Sequence, residues 1–221
     1  MVGPAVARRP PPAPGHPHSS KAPVVLELLT GCLLLVGATL GGLVVAHRPW
    51  ANRVDITGFR LLPADASSRW AVELTRLGST HVLIAGVAVL GCIALMQGDR
   101  TRAIACVVAP LCAVLVVELV AKPLVGRRLE DSAAFTYPSG TVTAVAALAA
   151  ATLLVAPRGA KSAVALLGGA VVSAICVAVV VLRWHYPTDA LGGVSLGAGA
   201  VFTLDGALRL LSRSEPRVRR P

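Results

Sequence analysis

The chain has 221 residues, a formal net charge of +10 at pH 7, 55% hydrophobic residues and a mean hydropathy of +0.72. This apolar excess excludes an ordinary soluble domain, which needs a polar surface around its core. We therefore interpret the chain as an all-α integral membrane bundle. The basic residues lie between apolar runs and in the tails, which favours a role in membrane topology over nucleic-acid binding.

The predicted elements begin with a tail over residues 1–23, which is proline-rich and basic, has no signal-peptide apolar core and is expected to be disordered. A membrane domain is predicted over 24–211, and a short basic tail over 212–221. The apolar runs that approach the roughly 20 residues needed to cross a bilayer are 24–46, 81–97, 103–121, 141–156, 162–182 and 190–211. The loop 47–79 also contains a candidate interfacial helix, at Ser68 to Leu77.

Six spans would place both tails and the loops 98–102 and 157–161 on the same side of the membrane. That side carries 12 of the Lys and Arg residues and the other side carries nine. Because basic residues are enriched in cytoplasmic segments, we assign it to the cytoplasm. The sequence thus predicts a multi-pass protein of the plasma (inner) membrane with both termini cytoplasmic. It does not specify an oligomeric state.

The cysteines all lie in apolar runs and have no paired metal-ligand spacing. We interpret them as small core residues and expect neither a metal nor an organic cofactor. They are Cys32, Cys92, Cys106, Cys112 and Cys176.

Two loops on the predicted extracytoplasmic side collect polar residues, which are costly near a membrane. They read "AKPLVGRRLEDSAAFTYPSGT" and "LRWHYPTDALGG". In the second loop, His185 precedes Asp189 by four residues, a spacing that lets the carboxylate orient the imidazole and leave one ring nitrogen as a base or nucleophile. The alternative is structural: Asp189 caps the last span, and His185 is an interfacial residue.

The first loop combines cations with a helix start. Lys122, Arg127 and Arg128 precede Ser139 and Gly140, and backbone amides at a helix start together with cations form a cradle for phosphate. The alternative is that the cations snorkel at the end of the third span. Glu118 lies one turn before Lys122, which predicts an ion pair between them.

These segments resemble the type 2 phosphatidic acid phosphatases, a membrane superfamily that includes polyprenyl-diphosphate phosphatases. The resemblance covers roughly residues 80–210 and rests on "KPLVGRR", "YPSGT" and "RWHYPTD", in the family's order and at span ends. It implies metal-independent hydrolysis of a lipid phosphate through a phosphohistidine. It implies His185 as nucleophile, Asp189 as its orienting group, and a phosphate site of Lys122, Arg127, Arg128, Ser139, Gly140, Thr141 and Arg183.

The chain departs from the family pattern at three positions. Leu129 stands where the first motif has its second arginine, so Arg127 or Arg128 is the candidate to replace it. Val179 stands where the third motif has an arginine, and Arg183 is the candidate to replace that one. Thr141 stands where the family has the histidine that protonates the leaving group. A threonine hydroxyl can donate a hydrogen bond to phosphate but does not act as a general acid.

Thr141 therefore leaves several alternatives open. The substrate is a diphosphate whose leaving group needs little protonation, or another group supplies the proton, or the protein binds a lipid phosphate or a partner protein without turnover. His47 and His81, at the ends of the first and second spans, are candidates for a substitute acid. A transporter is the weakest alternative, because the span interiors hold few polar residues.

Overall fold

The computed structural model describes residues 22–46, 48, 50–129 and 133–214, and in these ranges the chain is an all-helical membrane bundle. The predicted fold class is therefore confirmed. The helices are α1 Ala22–Val45, α2 Arg53–Leu61, α3 Arg69–Thr75, α4 Thr80–Met96, α5 Arg100–Val116, α6 Lys122–Val125, α7 Gly140–Val155, α8 Lys161–Val181 and α9 Pro187–Ser214. A π-helical turn, Val117–Ala121, joins α5 to α6, and 3₁₀ turns follow α3 and precede α8.

Each predicted span coincides with a helix, but the helices differ in length. Among the described residues, Ala22–Val45, Arg100–Val125, Arg158–Val181 and Pro187–Ser212 are long and apolar enough to cross a membrane. Arg69–Gly78 and Thr80–Met96 form a further span if they are counted as one unit bent by 48°. α7 has 16 residues and rises about 24 Å, less than the hydrocarbon core of about 30 Å. The count of six spans thus stays a prediction.

The predicted boundaries of the membrane domain differ slightly from those of the helices. α1 begins at Ala22, before the predicted start at residue 24, and α9 continues to Ser214. The remainder of both predicted tails lies outside the described residues. The helix expected near Ser68 to Leu77 is present as α3 and its 3₁₀ turn, whereas α2 was not predicted.

Large apolar side chains face outward, which is the arrangement expected of a protein surrounded by lipid. On α1, Leu33 is 70% exposed and Leu43 is 69% exposed, while Gly31 and Gly42 are buried on the opposite side. The interior consists largely of alanine and valine from α4, α5, α7, α8 and α9. Small residues let the helix backbones approach closely, and such packing drives helix association in lipid.

α9 is the central helix because it packs against both α1 and α7. A Cβ atom added at Gly31 would lie 2.5 Å from the Thr203 amide nitrogen, and one added at Gly193 would lie 2.7 Å from the Ser139 carbonyl oxygen. At Gly197 it would overlap the Thr143 carbonyl oxygen. The contacts of Gly193 and Gly197 place the beginning of α7 directly against the first turns of α9.

One end of the bundle is closed by the loops that were predicted to share a side. The Gln97 side-chain amide donates to the Val155 carbonyl at 3.0 Å, and Arg209 donates to Asp99 at 2.6 Å. Burial raises the pKa of Asp99, but hydrogen bonds from the Arg102 amide and from Arg209 outweigh it and leave that pKa below its usual value. Both loops therefore lie together with the end of α9, and their assignment to the cytoplasm stays a prediction.

We predict that Gly197→Ala lowers stability by roughly 1–3 kcal/mol, because the added methyl group overpacks the contact between α7 and α9. The matched control is Gly169→Ala on α8, where an added Cβ meets no atom within 4 Å. Thermal unfolding of the purified variants in one detergent measures both. Equal melting temperatures for the two variants would contradict the packing described here.

Candidate active site

A buried arginine lies at the centre of the polar end opposite those loops. The Arg127 guanidinium is fully buried and forms ion pairs with two buried carboxylates, those of Asp55 and Asp189. It donates to Asp189 Oδ1 at 2.7 Å and to the Thr188 hydroxyl at 2.6 Å. Its face also covers the Tyr186 ring, with 4.0 Å from Cζ to the ring centroid. These contacts connect the loop after α6 with α2 and with the start of α9.

Asp55 was missed by the sequence analysis. Its Oδ1 accepts hydrogen bonds from the Thr188 amide at 3.0 Å and from the Thr188 hydroxyl at 2.8 Å. Its carboxylate also closes the capping box of α2 with Asn52. The spacing Asn52-x-x-Asp55 is a signature of a helix start and was the available signal for α2. Nothing in the sequence pairs Asp55 with a residue 72 positions later.

His185 is held in one tautomer by a backbone contact. Its Nδ1 lies 2.9 Å from the Thr136 carbonyl oxygen, which can only accept, so Nδ1 carries a proton and donates. In the neutral ring this leaves Nε2 with a free lone pair. Asp189 Oδ2 lies 3.8 Å from Nδ1, a distance that stabilises a charged imidazole without being a hydrogen bond. The sequence placed His185 beside Asp189, but the direct partner of the ring is Thr136.

Asp189 has a second, structural role that the sequence also predicted. Its Oδ2 accepts from the Tyr186 amide at 2.9 Å, which caps the start of α9. The Asp189 carbonyl accepts from the Ser139 amide at 3.0 Å. The same residue therefore caps α9, pairs with Arg127 and holds the start of α7.

The beginning of α7 presents free backbone donors. Ser139 is buried, and its hydroxyl oxygen accepts from the Val142 amide at 3.4 Å as the N-cap. Among the described residues, the amides of Gly140 and Thr141 have no hydrogen-bond partner. Free amides at a helix start favour an anion. Ser139 itself thus positions the helix, while the next two residues present donors.

Lys122 is brought to this helix start together with Glu118. The ammonium donates to both Glu118 carboxylate oxygens, at 2.7 and 2.8 Å, which confirms the predicted pair. A Cβ atom added at Gly140 would overlap Glu118 Oε1 and would lie 3.8 Å from Lys122 Nζ. Glycine at position 140 is therefore what lets the ion pair approach α7 so closely.

Two other predicted cations differ in their surroundings. Arg128 is exposed and lies over the Phe135 ring, 4.8 Å from its centroid. Arg183 donates to the carbonyl oxygens of Phe59 at 3.2 Å and Val180 at 3.4 Å. Arg183 thus joins α2 to the end of α8, whereas Arg128 keeps an accessible guanidinium.

Of the residues considered for proton transfer, Thr141 packs its methyl group against Gly78, in the turn before α4. His81 is exposed at the start of α4. His47 lies outside the described residues. In the described ranges no cluster of three or more His, Cys, Asp or Glu side chains could hold a metal ion. The expectation of a metal-independent site stays a prediction.

An apolar cavity of about 550 Å³ leads to the same loop. It is lined by α1, α5, α6 and α9 and ends at Tyr137 and Pro138, directly before Ser139. The Tyr137 hydroxyl donates to the Ala38 carbonyl oxygen of α1. Burial, reinforced by the nearby Asp189 charge, raises the pKa of Tyr137 to about 12, so this donor remains protonated at neutral pH. A hydrocarbon chain in this cavity would end beside the polar loop.

Comparison with known proteins gives a match at the level of structure. The fold is similar to the crystal structure of a transmembrane PAP2-type phosphatidylglycerolphosphate phosphatase from Bacillus subtilis, with a TM-score of 0.64 and 17% sequence identity. The similarity covers 86% of this chain and 99% of that chain. No protein-family description and no curated protein sequence matches the chain. At this identity the similarity shows a shared fold, which is the fold that the sequence motifs implied.

We predict that Asp55→Ala destabilises the protein by roughly 3–5 kcal/mol, because it leaves Arg127 Nη2 and the Thr188 amide and hydroxyl without their acceptor. Asp65→Ala is the control, since Asp65 is an exposed carboxylate that accepts hydrogen bonds from the Ser67 amide and hydroxyl. Denaturant and thermal unfolding in detergent give the difference. A similar small loss in both variants would show that the ion pair with Asp55 contributes little.

Proposed function

We propose that this protein is a membrane lipid phosphatase that hydrolyses a lipid phosphate or polyprenyl diphosphate through a phosphohistidine. The observation that carries the proposal is the state of His185. Its Nδ1 proton is engaged by the Thr136 carbonyl, its side chain is 12% exposed, and its Nε2 is unpaired among the described residues. A neutral imidazole held in this way is a nucleophile directed at one reacting atom.

In the proposed first step, His185 Nε2 attacks phosphorus and the ring becomes positively charged. Asp189, at 3.8 Å from Nδ1, stabilises that charge, and the Arg127 pair holds Asp189 in place. Asp189 is therefore the orienting group of the proposed mechanism. Its bonds to Tyr186 and Arg127 fix its position before any substrate binds.

The phosphate ligands of this proposal are a subset of those implied by the resemblance. Lys122, Arg128 and the free amides of Gly140 and Thr141 neutralise the phosphate oxygens. Arg127 and Arg183 have protein partners for their guanidinium groups, so we assign them to positioning. Ser139 contributes by capping α7.

The apolar cavity supports an amphiphilic substrate. A hydrocarbon chain between α1 and α5 would bring its phosphate to the loop that begins at Tyr137. We propose that this loop faces the extracytoplasmic side of the plasma membrane, with both termini cytoplasmic. The shared fold with a PAP2-type phosphatase supports the same class of reaction.

A second candidate function follows from Thr141 alone. A threonine hydroxyl does not supply a proton near neutral pH. If no other group supplies it, the protein binds a lipid phosphate, or a partner protein, without turnover. The retained environment of His185 favours the phosphatase, since a binder does not need a tautomer held in place.

We predict that purified protein in detergent releases phosphate from a polyprenyl diphosphate and from phosphatidate without added divalent metal. His185→Ala is expected to reduce release to background, because it removes the nucleophile. If Thr141 limits the reaction, Thr141→His raises phosphatidate turnover by roughly 10²–10⁴-fold. The double variant with His185→Ala controls for contaminating phosphatases. Wild-type protein that is silent on both lipids, with activity appearing in Thr141→His, would favour the binder.

The tautomer of His185 also predicts which ring nitrogen carries the phosphoryl group in the intermediate. Because Nδ1 donates to Thr136, the phosphoryl group is expected on Nε2 of His185. Rapid quenching in base, followed by ³¹P NMR or isomer-specific antibodies, distinguishes the two phosphohistidines. Detection of the Nδ1 isomer would contradict the proposed role of the Thr136 carbonyl.

A further inference from the structure

The ion pair with Lys122 does not by itself explain where the Glu118 carboxylate lies. Pairing with Lys122 one turn away needs only the helix itself, yet the carboxylate also lies against Gly140 on another helix. It thereby lies beside the first residue of α7. A carboxylate at this place is next to the residue that carries the family's proton donor, position 141.

The backbone around Glu118 is itself unusual. Val117–Ala121 is a π-helical turn, in which the Lys122 amide donates to the Val117 carbonyl. Such turns are rare and often occur at functional sites. Here the turn carries Glu118 and leads directly into Lys122, so it sets the direction of both side chains.

The accessibility of nearby acidic groups singles out Glu118. The carboxylates of Asp55 and Asp189 are fully buried and bound to Arg127. The Glu118 side chain is 46% exposed, and its partner Lys122 is 19% exposed. Among the described carboxylates around the start of α7, Glu118 thus combines access to a ligand with a place beside the proposed phosphate site.

We propose that Glu118 is the acid and base catalyst of this site, an inference that rests on the phosphatase activity proposed above. An alkyl phosphate expels an alkoxide, which needs a proton, and Thr141 does not provide one. When the substrate phosphate takes over Lys122, Glu118 loses its counterion. The proton then comes from the substrate, because phosphate monoesters have a second pKa of about 6 and part of them is protonated near neutral pH.

The proposed reaction proceeds in two steps. The His185 Nε2 lone pair forms the N–P bond while the bond from phosphorus to the alkyl oxygen breaks, and the proton of the Glu118 carboxyl moves to that oxygen to release an alcohol. The Glu118 carboxylate then takes a proton from water, whose oxygen bonds to phosphorus while the N–P bond breaks. The electron pair returns to Nε2, inorganic phosphate leaves, and Glu118 is protonated again.

The test uses the full-length protein in detergent and two substrates, decyl phosphate and 4-nitrophenyl phosphate. The nitrophenolate leaves as a stable anion and needs no proton donor. Glu118→Gln is expected to lower kcat/KM for decyl phosphate by roughly 10²-fold or more, with a loss on 4-nitrophenyl phosphate at least about tenfold smaller. Glu73→Gln is a surface control, because Glu73 forms a solvent-exposed ion pair with Arg76. It should change kcat/KM for neither substrate.

The matched control is Lys122→Gln, which breaks the same ion pair and keeps the carboxylate. It is expected to lower kcat/KM for both substrates by a similar factor, since it removes a phosphate ligand rather than a proton donor. If Glu118→Gln lowers kcat/KM for both substrates equally, or for neither, the proposed role of Glu118 is overturned while the proposed phosphatase activity is retained. Wild-type protein that hydrolyses neither substrate, nor the two lipids tested above, overturns the proposed function and this inference together. Gel filtration and thermal unfolding of each variant show that the fold is retained.

Discussion

The buried guanidinium of Arg127 between Asp55 and Asp189 is the interaction on which this end of the bundle depends. Charges removed from water are stable when they are paired and hydrogen-bonded. In this cluster every charged side-chain atom except Arg127 Nε has a hydrogen-bond partner among the described residues. One cation and two carboxylates leave a formal charge of −1. The backbone amides of Asn52, Thr188 and Tyr186 donate to the carboxylates and disperse it. α2, the loop after α6 and the start of α9 are held together by this one group.

The site is therefore built in two layers. The inner layer is buried and consists of Arg127, Asp55 and Asp189. The Asp189 carbonyl accepts from the Ser139 amide, and the Thr136 carbonyl in the same loop accepts from His185 Nδ1. The inner layer therefore aligns His185 with the start of α7. The outer layer contains Lys122, Glu118 and Arg128, which are at least partly accessible. A rigid inner layer that positions reactive groups is the arrangement that catalysis requires. Here Arg127, five residues after the first-motif Lys122, belongs to the inner layer, although its sequence context suggests a phosphate ligand.

The parts of the structure that were predictable from the sequence follow from hydropathy and local spacing. Apolar runs identify membrane helices because a bilayer requires them. The spacing of His185 and Asp189, and of Glu118 and Lys122, predicts contacts within one turn. α2 was missed because it is only nine residues long, and its Asn52 signature lies outside any apolar run. Nothing local indicates that Arg127 is buried, since its partners are 72 and 62 residues away. The Thr136 carbonyl, a backbone group, is equally invisible to a sequence pattern.

The order of the three charged partners along the chain has a consequence for biogenesis. Asp55, Arg127 and Asp189 are translated in that sequence, and domains generally assemble as the chain is made. Until α9 has docked, Arg127 has Asp55 as its carboxylate partner and lacks Asp189 and Thr188. The nascent protein thus holds Arg127 with one carboxylate partner and without its hydrogen bond to Thr188. Docking of α9 then supplies the second carboxylate and completes the site in the same event.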